Sequence, residues 1–171
     1  LPLVARELMA DQLAVPGTLH DLAQIGIWVD DFAQRWNLPA STTFAIQLCC
    51  EEVFSNIVRH GFKERDSSGT DENRVRLFLD HGVRSVILRI DDQAAAFDPL
   101  DVESPHHPQS VAEASVGGLG IHLVRQFAQD VCYERLDQTN SLTMRFDLPQ
   151  AGASDSGSLA PHQYSTTPAP G

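Results

Sequence analysis

The stretch Thr43–Gly61, TFAIQLCCEEVFSNIVRHG, decides how the rest of the chain is read. At helical spacing Ala45, Leu48, Cys49, Val53 and Ile57 fall on one stripe suited to burial. Glu52, Asn56 and His60 follow at i, i+4 and i+8, so they line up along the edge of that stripe. Surface polar residues normally lie opposite a core, whereas here an acid, an amide and an imidazole sit against it. A carboxylate four residues before a carboxamide suits two tasks at once. The acid can accept a proton or orient a nucleophile, and the amide oxygen can hold a hard cation such as Mg²⁺. A helix whose polar flank merely happens to line up has the same pattern, so other segments have to decide between the two.

Outward from this helix, the chain alternates strand and helix signals. Glu7 to Val15 reads as a first strand, closed by a Pro16-Gly17 turn. Thr18, with Asp21 three positions on, caps a helix whose apolar face runs through Leu22, Ile25, Val29, Phe32 and Trp36. Asn37-Leu38-Pro39 ends it. After Gly61 comes a polar, turn-rich connection, Lys63 to Asn73, and then two alternating strands, Arg74–Asp80 and Ser85–Asp91, joined by a hairpin turn. A long loop from Leu100 to Gly118 leads to a third helix opened by Gly117, Gly118 and Gly120. Two last strands, Val131–Leu136 and Ser141–Leu148, complete the pattern. Sequential hairpins rule out a purely parallel sheet. The expected fold is α+β, a two-layer sandwich of an antiparallel or mixed sheet with helices on one face. One domain over residues 1–148 is expected, followed by a tail, 149–171, too poor in large apolar residues to order itself.

Composition narrows the function classes. The chain has 171 residues, enough for one ordinary domain, and 42% of them are apolar, which supports a sizeable core. A formal charge of -11 argues against a nucleic-acid backbone or an anionic membrane as main partner, since either would repel it. Three cysteines, two adjacent in a helix, form neither a disulfide framework nor a zinc spacing, which fits a reduced cytoplasmic setting. No apolar run has membrane length and no signal-peptide layout opens the chain. The absence of an initiator Met is what a piece of a longer chain would show.

Besides Glu52 and Asn56, two loci carry chemistry. Asp92 ends a strand, where a carboxylate can accept a hydrogen bond from an exocyclic amine such as that of adenine; a plain turn former would look alike. Glycines 117, 118 and 120 at a helix start let backbone N–H groups approach phosphate, although a tight turn uses glycine too. No Walker-type Gly-Lys-Ser/Thr is present, which excludes a P-loop enzyme.

The order of these pieces, EExxxNxxxHG, then DxxxxFDP after a strand, then VGGLGIHLVR opening a helix, resembles the ATPase superfamily shared by gyrase, heat-shock chaperones and sensor histidine kinases. More narrowly it resembles the anti-sigma-factor serine kinases, over roughly residues 6 to 148. The resemblance implies a Bergerat-type ATPase fold, ATP or ADP with Mg²⁺ as cofactor, and an anti-anti-sigma (STAS-type) protein as phosphoacceptor. It further implies a sigma factor as the sequestered partner and self-association through the first strand and helix. By position, Glu52 matches the general base, with Glu51 the rival, set aside because Glu52 stands four before Asn56. Asn56 matches the Mg²⁺-binding amide, Asp92 the adenine-reading acid, Gly118 and Gly120 the lid glycines, and Thr143, more loosely, a residue near adenine. His60 matches a position often filled by His. Two departures stand out. Ala94 occupies a cofactor-binding position where the family places glycine, and the Leu100–Gly118 lid has no Lys or Arg, leaving His106, His107 or Arg125 as sources of positive charge. These departures keep an alternative open, a weak or inactive partner-switching binding module. An accessory domain of a larger regulator is a third reading.

Overall fold

The computed structural model of the protein describes residues 10–62, 74–96, 98 and 118–149. The start of the first expected strand, the connection after Lys63, nearly all of the long loop with His106, His107 and Gly117, and the tail from residue 150 lie outside the described residues.

Strand β1 (Asp11–Val15) leads through a 3₁₀ turn (Leu19–Asp21) into helix α1 (Leu22–Trp36). The Asp21 carboxylate accepts from the Thr18 N–H at 2.7 Å and from its hydroxyl at 3.0 Å, the return half of a capping box. Asn37 ends α1 in the left-handed region, φ 49°, and the Leu38 N–H donates back to the Ala33 carbonyl at 2.9 Å. Helix α2 (Ala40–Asn56) runs on into a π-helical turn (Ile57–Gly61). Then come β2 (Val75–His81), β3 (Ser85–Asp92), helix α3 (Gly118–Phe127), β4 (Asp130–Leu136) and β5 (Thr139–Asp147).

The five strands form one sheet in the order β1-β2-β3-β5-β4, and every neighbouring pair is antiparallel, so the admitted mixed sheet is not realised. The segment from β3 through α3 to β4 places β4 at the edge, and the β4–β5 hairpin then returns β5 into the gap beside β3. Alternation along the strands sends Val75, Leu77, Leu79, Val86, Leu88, Ile90, Leu142, Met144 and Phe146 into the core. There they meet Ile25, Val29 and Phe32 of α1, Val124 of α3, and Ile46, Cys49, Cys50, Val53 and Phe54 of α2. The expected α2 stripe is therefore too narrow. Leu48 and Ile57 are only half-buried, while Ile46, Cys50 and Phe54 are fully inside. The reason is position: α2 lies between α1 and α3, in contact with both, and is apolar on more than one side. Among the described residues, no helix is long and apolar enough to cross a membrane.

Candidate functional site

Asp91 and Asp92 end β3, and strand alternation turns them to opposite faces. Asp91 takes the face away from the helices, between Arg89 at 3.3 Å, Arg76 at 3.7 Å and the Ser141 hydroxyl. Asp92 takes the helix side and is only 6% exposed. Its Oδ1 accepts from the Ala94 N–H at 2.8 Å and from the Asn140 amide at 2.9 Å, which among the described residues leaves Oδ2 for an incoming donor. Burial pushes the Asp92 carboxyl above the ordinary carboxylate value, and the Asp91 charge adds a little. The Asn140 and Ala94 hydrogen bonds and the Arg135 charge pull it back.

Register explains this grouping. Asp92 stands directly opposite Asn140 on β5, and Asn140 stands opposite Arg135 on β4, so the three form one row across adjacent strands. The row depends on the tight β4–β5 turn, where Asp137 and Gln138 both have positive φ, 47° and 66°. Arg135 and the Tyr133 hydroxyl both donate to Asn140 Oδ1, at 2.5 and 2.8 Å.

A cavity of about 330 Å³ opens beside Asp92. One wall is a single face of α2 and its π turn: Val53, Asn56, Ile57, His60 and Gly61. A π turn at such a place is a frequent mark of a functional site. The opposite wall is Ile90, Asp92, Asn140, Leu142 and Tyr133 of the sheet with Ala94, Ala95 and Ala96, and Ile121 of α3 closes one side. The cavity is thus mostly apolar, with Asp92 and Asn140 on the sheet wall and Asn56 and His60 on the helix wall as its polar points, beside the Tyr133 ring.

The two ends of this α2 face touch different elements. A Cβ on Gly61 would lie 2.7 Å from the Ala94 Cβ, so the methyl of Ala94 packs against the bare Gly61 backbone. A Cβ on Gly120 would lie 2.6 Å from Glu52 Oε2 and 3.1 Å from Asn56 Nδ2, so the first turn of α3 rests on that pair. From residue 52 to 61 the helix rises about 13 Å, a length suited to a nucleoside and its phosphate chain.

The residues singled out in the sequence are placed as follows. Asn56, Asp92 and Ala94 all line the cavity, and so does His60. Glu52 is half-buried and lies beyond Asn56, against Gly120, outside the cavity wall. Gly118 is the first residue of α3. Thr143 requires correction. On β5 the residues Asn140, Leu142 and Met144 point inward, so Thr143 falls on the opposite face, away from the cavity. Asn140, Tyr133 and Arg135 were not foreseen. The signal for them was the two-residue turn at Asp137-Gln138, which sets Arg135 opposite Asn140, but Gln is a poor marker for positive φ.

Residues 15–146 match the model of the histidine kinase-like ATPase domain. The chain belongs to that family. Membership implies that the domain binds a nucleotide. The chain is also 34% identical, over 117 residues, to the serine/threonine-protein kinase BtrW of Bordetella bronchiseptica, a match covering 68% of this chain and 79% of BtrW. In fold it is similar to a chain of the SiaB-SiaC complex from Pseudomonas aeruginosa, with a TM-score of 0.55, 14% identity, and coverage of 86% of this chain and 99% of that one.

The donor set fits a nucleotide of this family. Asp92 Oδ2 is an acceptor at the edge of an apolar slot, as the amine edge of a base needs. The N-terminus of α3 and the Asn56 amide lie on the Glu52 side, where negative phosphate oxygens are favoured by helix N–H groups. For a metal, the described residues hold no group of three or more His, Cys, Asp or Glu. The Asn56 amide, on the cavity wall, is of the kind that can hold a hard cation together with phosphate and water oxygens.

Proposed function

We propose that the chain is an ATP- and Mg²⁺-dependent protein serine kinase that phosphorylates an anti-anti-sigma, STAS-type partner and, as an anti-sigma factor, sequesters a sigma factor in the cytoplasm. The observation that carries this reading is the placement of Asn56 and Asp92 on one cavity, with Glu52 next along the same helix. The similarity to BtrW, a serine/threonine-protein kinase by name, supports it. In this reading Asp92 and the apolar walls hold the base, and the Asn56 oxygen holds the cation. The α3 N-terminus, with Gly118 and Gly120, faces the phosphates. Glu52 aligns the serine hydroxyl and takes its proton. When bound, Mg-ATP would supply the phosphoryl group, which passes to the serine oxygen as ADP leaves, and the cation would offset its charge.

Incubation with labelled ATP and STAS-type candidates from the same genome, scored for label on serine, is the test. Glu52→Ala is expected to lower transfer by about 100-fold or more while nucleotide affinity stays within about twofold. Unchanged transfer in that variant would refute the assignment. One observation favours a second reading, a catalytically weak partner-switching module: Glu52 Oε2 lies against Gly120 rather than in the cavity wall. Nucleotide binding without transfer to any candidate is the result that reading expects.

A further inference from the structure

Every polar atom of the Asn140 side chain is engaged, although the residue is only 6% exposed. Nδ2 donates to Asp92 Oδ1 at 2.9 Å and to the Ala95 carbonyl at 3.2 Å, with a longer approach to the Ala94 carbonyl at 3.4 Å. Oδ1 accepts from the Tyr133 hydroxyl and from Arg135, which also donates to the Ala94 carbonyl at 3.2 Å. This arrangement fixes which way the amide points. Turned over, it would set an NH₂ group against a guanidinium and an oxygen against a carboxylate.

We propose that Arg135 and Tyr133, acting through Asn140, hold Asp92 as an acceptor-only group and so make the cavity select a purine carrying a 6-amino group over one carrying a 6-oxo group. The inference rests on the nucleotide reading above and names the residues behind its base selectivity. An ionised carboxylate accepts from an amino group and repels an oxo group. A protonated carboxyl can donate, and would tolerate the oxo group. Burial and the neighbouring Asp91 both favour protonation of Asp92. The opposing groups are the Asn140 amide, the Ala94 N–H and the Arg135 charge, while His60 of α2 lines the same cavity. Arg135, Tyr133 and Asn140 are therefore positioning residues whose removal costs selectivity, not merely affinity.

The experiment titrates the full chain with adenosine diphosphate and, separately, inosine diphosphate across the acid and neutral pH range. It is repeated with Arg135→Gln, Asn140→Ser and Tyr133→Phe, and thermal unfolding is recorded for each. The unsubstituted protein is expected to prefer the adenine nucleotide by about 10- to 100-fold, the range for a hydrogen bond to a charged group. Arg135→Gln and Asn140→Ser are expected to erode that preference by about tenfold. They should also move the acid loss of adenine binding to higher pH. Tyr133→Phe removes one hydroxyl, keeps the fold testable, and should shift both readouts in the same direction by less. Equal weakening toward both nucleotides, with an unmoved pH profile, would reduce the row to a structural one and overturn the inference while leaving the nucleotide reading intact. Binding of neither nucleotide by the unsubstituted protein would overturn that reading, and the inference with it.

Discussion

Asp92, to which the proposed function gives the recognition of the base, is unfavourably buried. Its folded-state affinity for a proton is raised, so between the ordinary value of 3.8 and the raised one the native state binds more protons than the unfolded chain. Stability therefore falls as pH rises through that window. Asp92→Asn retains Oδ1 for Ala94 and Asn140 and turns the other atom into a donor. At neutral pH the variant should unfold at the same or a higher temperature than the unsubstituted protein, and that gain should vanish on acidification below the window. Its adenine-nucleotide affinity should drop by about 10- to 100-fold. A lower unfolding temperature at neutral pH would mean that the hydrogen bonds, not desolvation, dominate this carboxyl. At this scale the sequence displayed Glu52, Asn56 and Asp92, because spacing and strand-end position are local properties. It did not display Asn140 or Arg135, which matter only through their cross-strand partners.

Two glycines allow close approaches along α2 and its π turn, Gly61 to Ala94 and Gly120 to Glu52. Gly61→Ala would bring two methyl carbons to 2.7 Å and should cost about 1–3 kcal/mol, the usual range for overpacking. Adding Ala94→Gly should recover most of that loss, and a double-mutant cycle by urea unfolding measures the coupling. Additive effects would mean that the two backbones do not meet as described. Ala94 is thus accommodated by Gly61, its methyl packing against helix backbone. Gly120→Ala presents a different case, because the nearest atom is the end of a flexible carboxylate. Stability should change by less than about 1 kcal/mol, whereas phosphoryl transfer should fall by about tenfold or more as Glu52 is displaced. Parallel unfolding and transfer assays separate the two effects. The helices and strands themselves were legible from periodicity and caps, but the burial of Ile46, Cys50 and Phe54 was not, since it depends on α1 and α3 flanking α2.

Across the whole molecule, the cysteines report how the layers close. Cys49 and Cys50 of α2 are buried in the core, and Cys132 is exposed on β4. Burial, with the Glu52 charge adding, pushes the Cys49 thiol up to about 12, and burial pushes Cys50 up as well. A thiol-disulfide reagent should therefore titrate Cys132 alone in the native protein and all three cysteines after denaturation. Fast reaction of a second thiol under native conditions would show that α2 opens from the sheet. The α+β architecture and, among the described residues, the three helices and the five strands followed from the chain itself, because hydrophobic period, turn residues and caps act over a few neighbours. The order β1-β2-β3-β5-β4, the face on which Thr143 falls, and the row from Asp92 through Asn140 to Arg135 were decided only in three dimensions. The reason is strand register: it is set by pairing between distant segments, and a shift of one residue exchanges every inward and outward side chain.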